Sequence, residues 1–220
     1  MKKYYEAYEE RYKTIHKMGY SWSGDESTPI VLDVLRRYGL KKTSRILEIG
    51  CGEGRDASAV LKSGYRLLAT DISEEAIAYC RAKFPEYKDS FAVLDCIGGK
   101  TDEVYDMIYA VAVLHMLVLD GDRAAFYRFI KDHLTDGGVA LVCTMGDGNF
   151  EMQTGIEKAF TLQERDHFSG KVKVAGTTCR MVSFDTFRKE IGDAGLKIAE
   201  EGITSAMPDF DSLMYAVITK

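Results

Sequence analysis

Residues 45–60 read RILEIGCGEGRDASAV, from Arg45 to Val60, and the reading of this stretch decides the fold. An apolar run leads in, glycines stand at alternate positions 50, 52 and 54, and a run of helical character leads out. Glycine lacks a Cβ, so it accepts tight backbone angles and lets a ligand come close to the main chain. Three of them here would fold the chain sharply from strand into helix. The backbone N–H groups of that turn would then face a ligand carrying oxygen or carboxylate groups. Alone, the pattern also describes a plain glycine-rich turn.

The flanking sequence narrows the reading. A second strand candidate ends in ATD, with Asp71 twenty-one residues beyond Gly50. An acid about 20 residues on can accept hydrogen bonds from both hydroxyls of a ribose; a helix-entry acid is the alternative. The third strand candidate ends in VLDC. Its Asp95 could face the exocyclic amine of an adenine and Cys96 could flank the ring, or both could be ordinary loop residues. A dinucleotide fingerprint needs a third glycine at position 55, which is Arg55. Glu48 and Glu53 bracket the turn and would repel a pyrophosphate. A cofactor bearing an ammonium group and a positive sulfur tolerates them better.

Outward from this turn the pattern alternates between strand and helix. RILEI, RLLAT, SFAVL, YDMIYA and VALVCT are strand candidates, with helices expected over 55–63, after the capping Ser73, and over 122–134. Gly137 and Gly138 are expected to turn the chain into the fifth strand. After residue 182, Ser183 caps a last helix, and LKIAEEGI and LMYAVIT are expected to pair antiparallel across Pro208 and a short polar turn. Upstream, Tyr5, Tyr8, Tyr12 and Ile15 form one helical stripe, and a turn-rich connector holds the only tryptophan, Trp22. Thr28, Pro29 and Gly39 mark the ends of a second helix. The expected fold is therefore α/β: doubly wound, with a mostly parallel seven-stranded sheet and an antiparallel C-terminal strand. Residues 1–220 read as a single domain, with 1–40 an N-terminal helical arm or lid and 145–182 a small insertion after strand 5 or a partial cap.

Composition sets outer bounds. The 220 residues are 46% hydrophobic and 29% charged, with a net charge of −5, which describes a globular chain. No basic face is demanded, so nucleic acid is not expected as a partner. Five scattered cysteines form no CxxC pair, so no metal is expected, and reduced thiols point to a cytoplasmic setting. The N-terminus has no apolar signal-peptide region, and no run of eighteen apolar residues exists, so no membrane partner is expected.

Taken in order, LEIGCGEGRD, ATDISEEAIAYC, VLDC, YDMIYAVAVLHML and LTDGGVALV resemble the class I S-adenosylmethionine-dependent methyltransferases over roughly residues 45 to 145. The 183–218 tail fits their last helix and strand pair. The resemblance implies S-adenosyl-L-methionine as cofactor and S-adenosyl-L-homocysteine as product. It implies that Gly50, Cys51 and Gly52 run under the methionine part, with Gly54 in the same cofactor-binding set. Glu48 would orient the amino group and Asp71 would hold the ribose. Ile72 would pack on the adenine, Asp95 and Cys96 would frame its edge, and Ala110 would lie beside the methionine portion. Arg55 could reach the cofactor carboxylate or stay an exposed first-turn arginine.

Methyl transfer from a sulfonium needs alignment and exclusion of water, and a base only where the nucleophile must lose a proton. His115, after the fourth strand, and Asp147, after the fifth, are the candidates for proton handling, each also readable as a loop or turn residue. His167 is unassigned, and His16 and His133 read as surface residues. The segment AVAVLHM lacks the Asn/Asp-Pro-Pro-aromatic run that marks some base and amide methyltransferases, which points to a small-molecule acceptor. Trp22, the Tyr-rich helix and the insertion would then form lid and substrate pocket. Two other classes stay open: a nicotinamide-dependent oxidoreductase and a non-catalytic cofactor-binding protein. The oligomeric state is not legible.

Overall fold

A computed structural model describes residues 2–99, 101–204 and 212–220. The expected turn at Pro208 lies outside the described residues. Two N-terminal helices, α1 (Ala7–Lys17) and α2 (Pro29–Arg37), precede the alternating part. There β1 (Arg45–Ile49), α3 (Arg55–Lys62), β2 (Arg66–Asp71), α4 (Glu74–Lys83), β3 (Phe91–Val93), β4 (Tyr105–Val111), α5 (Asp120–His133) and β5 (Leu134–Met145) follow in turn. Short strands β6 (Met152–Gln153), β7 (Leu162–His167), β8 (Gly170–Ala175) and β9 (Arg180–Met181) fill the insertion. Then come α6 (Phe184–Asp193), β10 (Lys197–Thr204) and β11 (Leu213–Thr219).

The main sheet has seven strands in the order β10-β11-β5-β4-β1-β2-β3. Six run parallel, and β11 is antiparallel to both its neighbours. The two faces are covered by different helices, as a doubly wound sheet requires. Val34 and Leu35 of α2, Val60 of α3 and Ile77 of α4 pack with Ile46, Met107 and Leu141 on one face. Phe126 and Ile130 of α5 and Phe187 and Ile191 of α6 pack with Leu47, Ile108 and Val142 on the other.

Local signals place the helix ends. The Ser73 and Ser183 hydroxyls accept hydrogen bonds from the Ala76 and Thr186 N–H groups, as N-caps do. Thr28 stands at the N-cap of α2, but its hydroxyl donates to Asp56 instead of capping. The fifth strand starts earlier than expected. Leu134 already pairs with Tyr105, and Gly137 and Gly138 form an irregularity inside the strand before regular pairing resumes at Val139. The 1–40 span also divides: α2 belongs to the main core, while α1 packs on the hairpin of the insertion through Ile15, Val172 and Val174.

Candidate functional site

Strand order reverses between β1 and β4, and the crevice at such a point is where doubly wound sheets bind ligands. A cavity of about 910 Å³ opens there. Its floor is the chain leaving each of five parallel strands: Ile49 and Gly50 after β1, Ile72 after β2, Leu94 after β3, Ala112 after β4 and Met145 at the end of β5.

The glycine turn forms the centre of the floor. Gly50 and Gly52 have φ of 72° and 52°, in the region that side chains oppose. A Cβ on Gly52 would stand 2.7 Å from the Tyr12 hydroxyl, and one on Gly50 would strike Val113 Cγ2 at 2.3 Å. The turn is held by Asp71, whose carboxylate accepts from the N–H groups of Gly52 and Ser73, at 2.9 Å each. Burial nevertheless raises the Asp71 pKa above its ordinary value, against the pull of those two N–H groups. Glu48 lies beneath the turn, 2% exposed, and accepts a hydrogen bond from the Tyr109 hydroxyl at 2.9 Å. Burial, reinforced by the nearby Asp56 carboxylate, pushes its pKa well above the usual range. This end of the cavity is thus a buried cluster of acids, which a positive charge or a set of hydroxyl donors would relieve.

Farther along, Asp95 and Cys96 line the cavity after β3. Asp95 accepts from Lys3 Nζ at 2.7 Å and from the Ile97 N–H at 2.9 Å. Burial opposes its ionisation, yet these donors hold its pKa below normal. Arg55 also lines the cavity. Its Nη2 donates to Asp56 and Thr28, while its Nε is buried without a hydrogen-bond partner among the described residues.

Four expected site residues do not line the cavity. Gly54 faces α4, where a Cβ would meet Phe84 at 2.9 Å and Cys80 Sγ at 3.0 Å. Ala110 points into the core beside Ile108 and Val142, because alternation along β4 turns it away and leaves Val111 on the cavity side. His115 is buried behind the β4 turn, where desolvation and the Arg123 charge push its pKa down to about 4. Asp147 sits exposed in a turn and accepts from the N–H groups of Asn149 and Phe150, at 2.8 Å each.

A family model described as a methyltransferase domain matches residues 47–140. The malonyl-[acyl-carrier protein] O-methyltransferase of Bacillus anthracis is 29% identical over 127 residues, 56% of this chain and 46% of that protein. The juvenile hormone acid O-methyltransferase of Bombyx mori is 32% identical over 110 residues, 46% of this chain and 38% of that protein. The matched segment therefore spans less than half the length of both. The CcbJ methyltransferase of Streptomyces caelestis is only 16% identical but superposes with a TM-score of 0.69 over 96% of this chain and 98% of that one. Residues 47–140 carry a methyltransferase domain, and the chain has the fold of S-adenosylmethionine-dependent methyltransferases.

What the chain carries over its strand ends comes from two segments far apart in sequence. From α1 come Tyr8, Arg11 and Tyr12; from the connector, Trp22; from the hairpin, Arg165 and His167. Glu53, the acid inside the glycine turn, ties them down. Its carboxylate accepts from the Trp22 and Ser23 N–H groups at 2.7 Å each, from the Ser23 hydroxyl at 2.9 Å, and meets His16 Nε2 at 2.9 Å. His16 meets Glu75 through its other nitrogen at 2.8 Å and stacks on Tyr79, so it is a bridge between elements, contrary to its reading as a surface residue. His133 is likewise engaged, with its ring nitrogens on the Phe129 and Thr101 carbonyls. Trp22 stacks on His167, which reaches the Ser21 carbonyl through Nε2 at 2.8 Å.

Arg11 escaped the sequence reading. The signal was present: positions 7, 11 and 15 are one buried face of α1, and a charge between Ala7 and Ile15 on such a face needs a reason.

Proposed function

We propose that this chain binds S-adenosylmethionine at the strand-end floor and directs its methyl group to a small-molecule acceptor under the lid. The observation that carries this reading is the convergence of Glu48, the Gly50–Gly52 turn, Asp71 and Asp95 on one cavity at the reversal of strand order. A ligand with a cationic amino-acid end and a nucleoside end fits this floor: buried acids at one end, an acid after β2 for a sugar, and an acid with a thiol after β3 for a base. The sulfonium would supply an already activated methyl group.

The protein's own residues then have limited tasks. Glu48 would orient the ammonium, and Asp71 would grip the ribose while fixing the turn through Gly52 N–H. Ile72 and Cys96 would bound the adenine, and Asp95 would exchange its Lys3 contact for the exocyclic amine. Val113, with Tyr12 of the lid, would exclude water and hold the acceptor in line with the methyl carbon. His115 and Asp147 have no part in this scheme, since neither reaches the cavity wall. At about 910 Å³ the cavity stands near the upper end of the ~300–1,000 Å³ range of small-molecule sites, which supports two ligands side by side. The printed name of one relative, for a juvenile hormone acid acceptor, also supports an acceptor of modest size.

Calorimetry with S-adenosylhomocysteine tests the reading, followed by incubation of labelled cofactor with metabolite pools. Saturable binding is expected, and Asp71→Ala should weaken it by about 1–3 kcal/mol, roughly 5- to 150-fold. No binding by folded protein sinks the proposal. Binding without label transfer to any acceptor favours a cofactor-binding protein that is not an enzyme.

A further inference from the structure

The strand-end floor gathers Glu48, Asp71 and Asp95 with Arg55, and the lid side sets Arg11 and Arg165 among Glu26, Glu164 and Asp166. Arg11 is the unusual one. It is 3% exposed, yet among the described residues no carboxylate lies within 4 Å of its guanidinium. Its Nε and Nη2 donate to the Ala175 carbonyl, and Nη2 also reaches the Thr177 hydroxyl; Nη1 takes no part in these bonds. Tyr8 and Trp22 sandwich the group, each ring centroid 4.6 Å from Cζ. Burial, with the like charge of Arg165 on the hairpin, lowers the Arg11 pKa. Buried arginines are almost always paired, because an isolated charge in a dry site is costly. Here the guanidinium is flanked by two aromatic rings, held by three polar contacts and left without a counter-ion within 4 Å among the described residues.

We propose that Arg11, with Arg165 beside it, forms an anion-binding subsite under the lid that takes a carboxylate of the methyl acceptor, whose apolar body rests on Val113, Met116 and Leu117. This rests on the cofactor reading above, which supplies the other half of the cavity. The cofactor's own carboxylate has a separate counter-charge in Arg55, beside the glycine turn, where a buried Nε lacks a partner among the described residues. Arg11 belongs to the lid, so its charge selects what is enclosed there. With Nε and Nη2 held on Ala175 and Thr177, Nη1 is the nitrogen left to meet a carboxylate, and the fixed guanidinium plane gives that contact direction as well as charge attraction. Two hairpin carboxylates also line the cavity: Glu164, engaged by Lys171 Nζ at 2.8 Å, and Asp166, which makes no ion pair with Arg11 or Arg165 among the described residues.

The test uses matched probes on the full chain, with and without saturating S-adenosylhomocysteine: benzoate against benzamide, and octanoate against octanamide. The loaded wild type should bind the carboxylate of each pair at least about tenfold more tightly. Arg11→Met should bring the two members level while S-adenosylhomocysteine affinity stays within about twofold, and Arg165→Gln should reduce the preference partly. Arg11→Lys keeps charge and stem, and should lose severalfold of the preference with the fork. It decides the matter should Arg11→Met not fold. Equal affinity for carboxylate and amide in the wild type overturns the proposal, as does an unchanged preference in Arg11→Lys. Loss of S-adenosylhomocysteine binding in either Arg11 variant also overturns it, because the guanidinium would then serve the cofactor. Failure of the wild type to bind S-adenosylhomocysteine at all strikes the cofactor reading instead, and is scored in its own titration.

Discussion

The floor of the cavity and its lid are built on different physical terms. The floor hangs from strand ends that, except for the edge strand β3, are paired on both sides, and whose side chains enter two continuous cores. The lid rests on a small apolar patch, Ile15 with Val172 and Val174, and otherwise on polar ties: Glu53 to the connector, and Arg11 to Ala175. Opening energies follow burial and hydrogen bonding, so the lid should be the low-stability unit and the floor the high one. For a site that must admit two ligands and then exclude water, that division is useful: the floor is pre-organised and the lid can yield.

The sharpest way to break this division is at Gly52, where floor and lid meet. Gly52→Val should abolish detectable S-adenosylhomocysteine binding in calorimetry. Its φ of 52° penalises any Cβ, and the added atom would stand 2.7 Å from the Tyr12 hydroxyl. The left-handed conformation alone costs about 1–2 kcal/mol, and a β-branched residue suffers more. Binding that survives in a folded Gly52→Val protein would mean that the turn does not approach the ligand and that the lid tolerates displacement.

The same division explains what was legible in sequence. Floor residues announce themselves because each is fixed by a local rule: strand, then turn, then helix. Asp71 and Asp95 could be placed at strand ends by counting. What sequence does not give on the floor is direction. Ala110 stands on the expected strand but faces the core, and the strand runs one residue further, to Val111 on the cavity side. Gly54 was counted with its neighbours, though its φ of 81° serves close packing against Phe84 and Cys80. The lid depends on pairings between segments more than a hundred residues apart, as in Arg11 with Ala175, and periodicity carries no information about such partners. Glu53 was read as one of the acids bracketing the turn. That it ties down the connector follows only from the three-dimensional path of residues 22–23.

A second, smaller effect sharpens the comparison by loosening the lid alone. Glu53→Gln keeps the shape of the side chain but removes its charge from a cluster of three donors and His16. Hydrogen exchange should show the Trp22 and Ser23 amides opening more easily by about 1–3 kcal/mol, the usual penalty for weakened buried hydrogen bonds. Protection in β1 and β4 should not change. Equal loss across both regions would show that lid and floor form one cooperative unit, against the division drawn here.

The smallest effect reads the floor's electrostatics directly. Burial and Asp56 hold the Glu48 pKa well above its ordinary 4.5. A carboxyl raised in this way stabilises the fold fully below about 4.5, and that stabilisation is lost as pH rises through the folded value. An ammonium placed against Glu48 reverses the shift, because the ionised form gains a partner. Binding should therefore release up to about one proton within this window, and affinity should rise with pH across it. Calorimetry of S-adenosylhomocysteine in buffers of different ionisation enthalpy measures the release, and Glu48→Gln should remove it while leaving the Asp71 contacts in place. Intact binding with no proton release would put the amino group elsewhere. The acids at this end would then be answering to Arg55 and to one another, and the floor would owe its charge to the fold alone.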